Sequence, residues 1–517
     1  GYNDPRSKAG EADNGLLQDK TTTSYRVYSN QLLRFNKVFD KHSINAILAY
    51  EWNSYTREIK DQTAASFAPG FSVADVATTP KTIKGSQEEW AVQSYLFNAN
   101  YAYDNRYLLD ANIRMDGASV FGSNKHYTET WAVGLAWNLH NESFLREVDW
   151  IGMIKFRASI GNPGNQNFDA YRSYTTYSFN NWISNNFGTS VLIDALGNPD
   201  LKWQKTIDKN IGADLSFFNN RFNINFDYYQ KKTDPLLAVI SVPSSVGTKT
   251  VTTNMGEQWN TGFSGTVKYS PIYRPKDRIN WTLSLNFRHQ KAEYRNIGNS
   301  LDQFNQENKN SSLDRYYDGG SPTALWAVRS LGIDPANGQE VFVKKDGTYS
   351  YTYDTKDEVK VGDSEPDVEG VIGSTLYYKG FSFSVHLRYS LGGDVFNKAL
   401  YSKVENISET NLKYNQDKRA LYDRWEKPGQ HARFKKISLT ETTPMSSRFV
   451  KTENFLKGES FSVGYDFPKE WIEKIGFSAL RLQANMNDIF RKSSVKEERG
   501  IDYPFARTVS ASVSVTF

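Results

Sequence analysis

Strict alternation of apolar and polar side chains constrains this chain more than any other feature. From Arg507 to Phe517, Val509, Ala511, Val513, Val515 and Phe517 take turns with Thr508, Ser510, Ser512, Ser514 and Thr516. Successive side chains of a β-strand point to opposite faces, so this segment has one greasy face and one hydroxyl face. Such a strand separates an apolar medium from a wet polar one. A chain that ends this way, on a Phe, points to a membrane β-barrel.

The pattern recurs along the whole length. Phe97, Ala99, Tyr101 and Tyr103 oppose Asn98 and Asn100, and Leu109, Ala111, Ile113 and Met115 oppose Asp110, Asn112 and Arg114. Trp131, Val133, Leu135 and Trp137 form another apolar row, as do Phe222, Ile224, Phe226 and Tyr228, and Trp281, Leu283, Leu285 and Phe287. Counting alternation gives about fifteen strands in 517 residues, roughly 34 residues per strand. A soluble sandwich places a strand every 8 to 12 residues or so and seldom puts charges such as Asp110, Arg157, Arg288 and Arg388 on one face.

The connections alternate too. Short ones are expected at 36–41, 104–106, 141–150, 218–220, 271–278, 379–380 and 468–479. Longer ones are expected at 58–89, 117–126, 161–203, 233–256, 293–369 and 392–450. Short turns on one rim and long loops on the other are the layout of an outer-membrane barrel, with periplasmic turns and extracellular loops. The expected fold is therefore all-β, an antiparallel transmembrane barrel. Fifteen is odd, and an all-antiparallel sheet closes only on an even number, so further strands are expected upstream. The polar, Gly-rich start from Gly1 to Gly15 lacks a signal-peptide layout, which fits a processed chain or one that begins midway.

Composition narrows the function. A mean hydropathy of −0.62 looks soluble, but a barrel strand is apolar only at alternate positions. No apolar run reaches the roughly 20 residues of a membrane helix. Aromatic residues make up 14%, the material of interfacial girdles, for which Trp131, Trp137, Tyr101, Tyr103 and Tyr107 are candidates. There is no cysteine, hence no disulfide and no thiolate chemistry. A net charge of +4 on 62 basic and 58 acidic residues gives no bulk attraction to nucleic acid.

Several stretches resemble the SusC-like family of TonB-dependent outer-membrane transporters of Gram-negative bacteria. They are 106–139, 154–166, 198–237, 331–347, 363–397 and 503–517, in that order, covering most of the chain. The resemblance implies a barrel of about 22 strands with a plugged lumen. It also implies a SusD-like surface lipoprotein as a lid, and energy from the TonB complex through the plug. Residues 1–517 would then be the C-terminal part of the barrel domain, with the plug and N-terminal domains outside this chain.

Catalytic and cofactor motifs are missing: there is no G-x-S-x-G, H-E-x-x-H, Walker A loop or helix-opening G-x-G-x-x-G. Gly362-Asp363-Ser364 lies in a polar loop without a matched histidine, so no enzyme and no cofactor is expected. Asp334, Asn337 and Asp346 could hold calcium, but they are also ordinary turn residues, and no metal site is expected. The long-loop rim concentrates amide, carboxylate and aromatic groups: Tyr177, Asn180, Asn181 and Trp182, then Tyr316, Tyr317, Asp318 and Trp326. A sugar stacks its C–H faces on aromatic rings and pairs its hydroxyls with such polar groups. Asn181, Trp182, Tyr316, Tyr317, Asp318 and Trp326 are therefore candidate contacts, although any one could simply pack loop on loop. Asp110, Arg114, His386 and Arg388 are candidate lumen-lining residues. The expected activity is TonB-dependent import of an oligosaccharide, or of a peptide, across the outer membrane; the alternative is a passive porin or barrel anchor.

Overall fold

Alternating segments need a partner for every backbone N–H and C=O, and in lipid only a neighbouring strand can supply it. The computed structural model shows this arrangement; it describes residues 1–120, 126–164, 174–185, 188–198, 200–202, 204–248, 250–298, 300–496 and 507–517. Fifteen long strands run antiparallel, each hydrogen-bonded to the next: β1 (Leu16–Phe39), β2 (His42–Ala65), β3 (Thr79–Tyr103), β4 (Tyr107–Ala118), β5 (Tyr127–Asn138), β6 (Ile151–Asn162), β7 (Lys205–Phe217) and β8 (Phe222–Asp234), then β9 (Glu257–Arg274), β10 (Ile279–Arg295), β11 (Val368–Tyr378), β12 (Phe381–Phe396), β13 (Val450–Asp466), β14 (Ala479–Ser493) and β15 (Val509–Thr516). A two-residue strand, Tyr2–Asn3, pairs with the start of β1 and makes a sixteenth. Among the described residues β1 and β15 do not pair, so the sheet is open.

The expected faces are observed. Phe97, Leu109, Ile113, Leu135 and Phe226 are exposed on the outer face, where a bilayer would cover them. Short turns close by left-handed residues: Asp104 and Asn105 have φ of 51° and 52°, and Lys379 and Gly380 have φ of 45° and 99°. Both central residues at positive φ match the right-handed twist of the flanking strands. Near the first of these turns Tyr103, Tyr107 and Trp137 stack in a row, with centroids 6.5 and 6.4 Å apart. Glu142 accepts from Tyr107 Oη at 2.8 Å and Trp137 Nε1 at 3.0 Å, so this girdle is anchored at its polar tips.

The long connections carry more structure than alternation predicts. Strands β2 and β3 extend to Ala65 and from Thr79, so the loop expected at 58–89 shrinks to 66–78. Lys60 pairs with Gly85 and Thr63 with Thr82 although neither face is apolar there. Beyond the membrane both faces are wet, so the apolar rhythm stops while the backbone ladder continues. The loop at 161–203 holds a hairpin, Thr176–Asn185 with Gly188–Ala195, and that at 233–256 holds another, Leu236–Ser241 with Thr250–Met255. The segment between β10 and β11 folds a helix, Asp302–Asn308, and a four-stranded sheet built on Ala324–Ile333.

Candidate functional site

The two longest connections, 296–367 and 397–449, pack into one body beyond the ends of the β10–β13 wall. Its apolar centre is Leu313, Leu325 and Ala327, covered by Val361, Phe396, Met445 and Val450. Three arginines lock it. Arg315, 1% exposed in its side chain, is bidentate to Glu358 at 3.0 and 2.9 Å and caps the carbonyls of Lys309, Ser312 and Asp314. Arg448 reaches Glu340 at 3.0 Å in one loop and Glu405 at 2.9 Å in the other. Burial works against the Arg448 cation, yet the two carboxylates outweigh it and hold its pKa above the ordinary value. Arg424 spends its donors on the carbonyls of Ala420, Val404, Glu405 and Lys435, and burial lowers its pKa. A bidentate pair such as Arg315–Glu358 sets geometry as well as energy.

Of the six candidate contact residues, the structure brings only two into contact among the described residues. Tyr317 and Trp326 pack ring on ring with centroids 4.7 Å apart, and Tyr317 remains 37% exposed. The Trp326 indole Nε1 is buried without a hydrogen-bond partner among the described residues. Tyr316 instead packs between Tyr294 of β10 and Phe304 of the loop helix, at 5.9 and 5.6 Å, and burial raises its pKa. Asp318 accepts from the Ile297 N–H at 3.0 Å, a turn-building role. Asn181 and Trp182 sit on the separate hairpin strand Thr176–Asn185, and their side chains lie outside the described residues.

On the inner face, every candidate lumen residue has a partner. Asp110 accepts from Asn100 at 2.7 Å and Asn98 at 3.3 Å. Arg114 bridges Glu51 at 2.9 Å and the fully buried Asp116 at 2.7 Å, and donates to Ser94 at 2.8 Å. His386 Nδ1 meets Ser460 Oγ at 3.2 Å, and Arg388 pairs with Glu459 at 2.9 Å. A triad not singled out by sequence lies beside them: Arg157 on β6 holds Asp214 on β7 at 2.8 Å and Asp227 on β8 at 3.1 Å. Gly212 makes room for that guanidinium, because a Cβ there would stand 2.8 Å from Arg157 Nη2. The signal was present as three charges on three polar strand faces; only the strand register brings them together.

The turn residues behave as turns. Asp334, Asn337 and Asp346 each accept from a backbone N–H two residues on, at 2.8, 2.9 and 2.9 Å. Ser364 Oγ donates to the Thr323 carbonyl at 3.2 Å, and Asp363 accepts from Thr323 Oγ1 at 2.6 Å. No cluster of three or more metal-ligating side chains exists among the described residues. A cleft of about 550 Å³ opens at the rim between upper β10 and the segment 360–367, lined by Trp259, His289, Lys291, Asp367 and Asp394.

The arrangement matches known proteins along nearly its whole length. The family described as TonB dependent receptor-like, beta-barrel matches residues 1–407. TonB-dependent receptor SusC of Bacteroides thetaiotaomicron is 27% identical over 501 residues, covering 90% of this chain and 46% of that protein. TonB-dependent receptor P39 of Formosa agariphila is 24% identical over 536 residues, covering 92% of this chain and 50% of that protein. The chain thus spans about half the length of these relatives. The RagAB peptide importer in its closed-closed state superposes with a TM-score of 0.85 at 21% identity, over 97% of this chain and 57% of that one, which shows a shared fold. On the match over 1–407, the chain belongs to the TonB dependent receptor-like, β-barrel family, and its similarity to SusC lies within that family.

Proposed function

We propose that this chain supplies most of the barrel wall and the extracellular mouth of an active importer in the outer membrane of a Gram-negative bacterium. The observation that carries the reading is the family match over residues 1–407. Substrate is captured at the mouth, between the packed loop body and a SusD-like lipoprotein lid, and passes inward when TonB displaces a plug borne outside residues 1–517. Cross-strand pairing of Arg114 with Glu51, of Arg157 with Asp214 and Asp227, and of Arg388 with Glu459 leaves the inner wall polar with its cations neutralised, suited to weak, replaceable contacts. The cargo favoured by the mouth is an oligosaccharide, because the exposed Tyr317 ring beside Trp326 offers a stacking surface at the rim. A peptide cargo is the second reading, supported by the shared fold with the RagAB peptide importer.

The test is uptake of labelled oligosaccharides and peptides by cells carrying the whole transporter, with and without a protonophore. Active import predicts that uptake stops when the proton-motive force is dissipated. Uptake that continues unchanged would replace this reading with a passive porin.

A further inference from the structure

Strand β10 pairs with β9 along its full length, but with β11 only up to the rung Arg288–Glu369. Higher up, Tyr294 regains a partner: its N–H donates to the Gly320 carbonyl and its C=O accepts from the Gly319 N–H, both at 2.8 Å. Between these rungs the wall has a slot. Its far side is the segment carrying Glu365 and Asp367, together with Asp394 of β12. Because Tyr294 aims both backbone groups at this side, residues two and four positions back, Ala292 and Gln290, aim theirs the same way. Among the described residues no backbone bond from the loop reaches them. Two donors and two acceptors of an exposed strand edge therefore face the cleft of about 550 Å³.

We propose that this slot binds short peptides in extended conformation, added as one strand beside Gln290 and Ala292. An unpaired strand edge is a template for another chain, with main-chain bonds giving affinity and flanking groups giving preference. A polypeptide carries the alternating N–H and C=O groups that this edge lacks. The cleft volume falls within the roughly 300–1,000 Å³ of small-ligand sites. Both ends are shut: the upper end by the Tyr294 rung, the lower by the Arg288 rung and by His289 Nδ1 donating to the Asp367 carbonyl at 2.6 Å. A strand continuing into a folded partner would run into one rung or the other, which selects a free peptide of a few residues. Two charges of opposite sign are available to it, since neither the Lys291 ammonium nor the Asp367 carboxylate has a partner among the described residues. Trp259 beside them is already faced by the Arg295 guanidinium at 4.9 Å, a preformed floor. The site lies above the bilayer, because about 9 to 11 residues of β10 counted from Ile279 suffice to cross it. Binding here stands apart from whether transport is coupled to TonB.

The experiment is calorimetric titration of the whole transporter, purified in mild detergent, with the capped peptide acetyl-Ala-Glu-Ala-Lys-amide. Two N-methylated versions, blocked at the first and third or at the second and fourth amides, serve as register probes, and maltotetraose is the carbohydrate control. One methylated register is expected to bind at least about tenfold more weakly than the parent and the other nearly normally, since alternate amides point to opposite sides of a strand. Ala292→Pro, which removes one edge donor where proline is tolerated, is expected to weaken the parent peptide by about tenfold or more, and Ala292→Ser to leave it unchanged. If Ala292→Pro does not fold, the methylated peptides on the unaltered protein decide. Equal binding of both registers, absence of peptide binding, or maltotetraose competing at equal affinity would each overturn the proposal.

Discussion

Arg448 joins two carboxylates from loops far apart in sequence, Glu340 and Glu405, and its side chain is 12% exposed. Glu340 also accepts from Ser446 Oγ, and Glu405 from Thr443 Oγ1 at 3.0 Å, so both carboxylates are held from two sides, while Arg448 Nε is buried without a partner among the described residues. Removing one member of a buried ionic network costs about 3–5 kcal/mol, because the others stay buried and unpaired. Arg448→Ala should therefore loosen the loop body, read as faster hydrogen exchange over 397–449, while the barrel keeps its heat resistance. Replacing Glu340 and Glu405 by Gln together with Arg448→Met should restore much of the protection. Trp326→Ala and Tyr317→Ala should weaken ligand binding by about tenfold without altering unfolding of the barrel; unchanged affinity in both would remove this ring pair from the site. Tyr317 and Trp326 stood out singly as aromatics in a long polar loop, but their packing on each other did not. The arginine network was not legible, because an isolated Arg or Glu in a loop carries no sign of its partner.

At the scale of elements, the alternating parts of the strands were legible and their extensions beyond the apolar rows were not. Apolar alternation exists only where one face meets lipid, so β2 and β3 continue unseen through Lys60–Gly85 and Thr63–Thr82. The short helical turn at Lys418–Ala420 is another such element, started by Asp417. The Arg419 guanidinium, aided by its backbone N–H, holds the Asp417 carboxyl down to about 2 against partial burial. In an unfolded chain that carboxyl titrates near 3.9. Its support for the turn is thus complete above that value and disappears as pH falls through about 2. Hydrogen exchange of the 414–425 segment, corrected for intrinsic rate, should be flat from about pH 7 to about pH 5 and rise below about pH 4. Asp417→Asn should abolish most of that rise.

At the scale of the whole molecule, the sheet ends on β1, covered only at its start by Tyr2–Asn3, and on β15, with no closure among the described residues. Open edges in a bilayer leave backbone groups unsatisfied, which membranes do not tolerate. Residues 1–517 expressed alone should therefore fail to give the compact, heat-modifiable band of a folded barrel on an unheated detergent gel, whereas the same residues within the whole transporter should give it. A compact band from 1–517 alone would mean that these strands close on themselves. What the sequence by itself determined is the class of solvent on each side of each strand, because period-two alternation is a local property. From that follow the strand count, the alternation of short and long connections, and the antiparallel barrel. What only the tertiary structure decided is which charges neutralise one another across strands, how two long loops become one body through Arg448, and where β10 parts from β11 to leave an edge. Those depend on register and on contacts between residues tens to a hundred positions apart, and no local pattern encodes them.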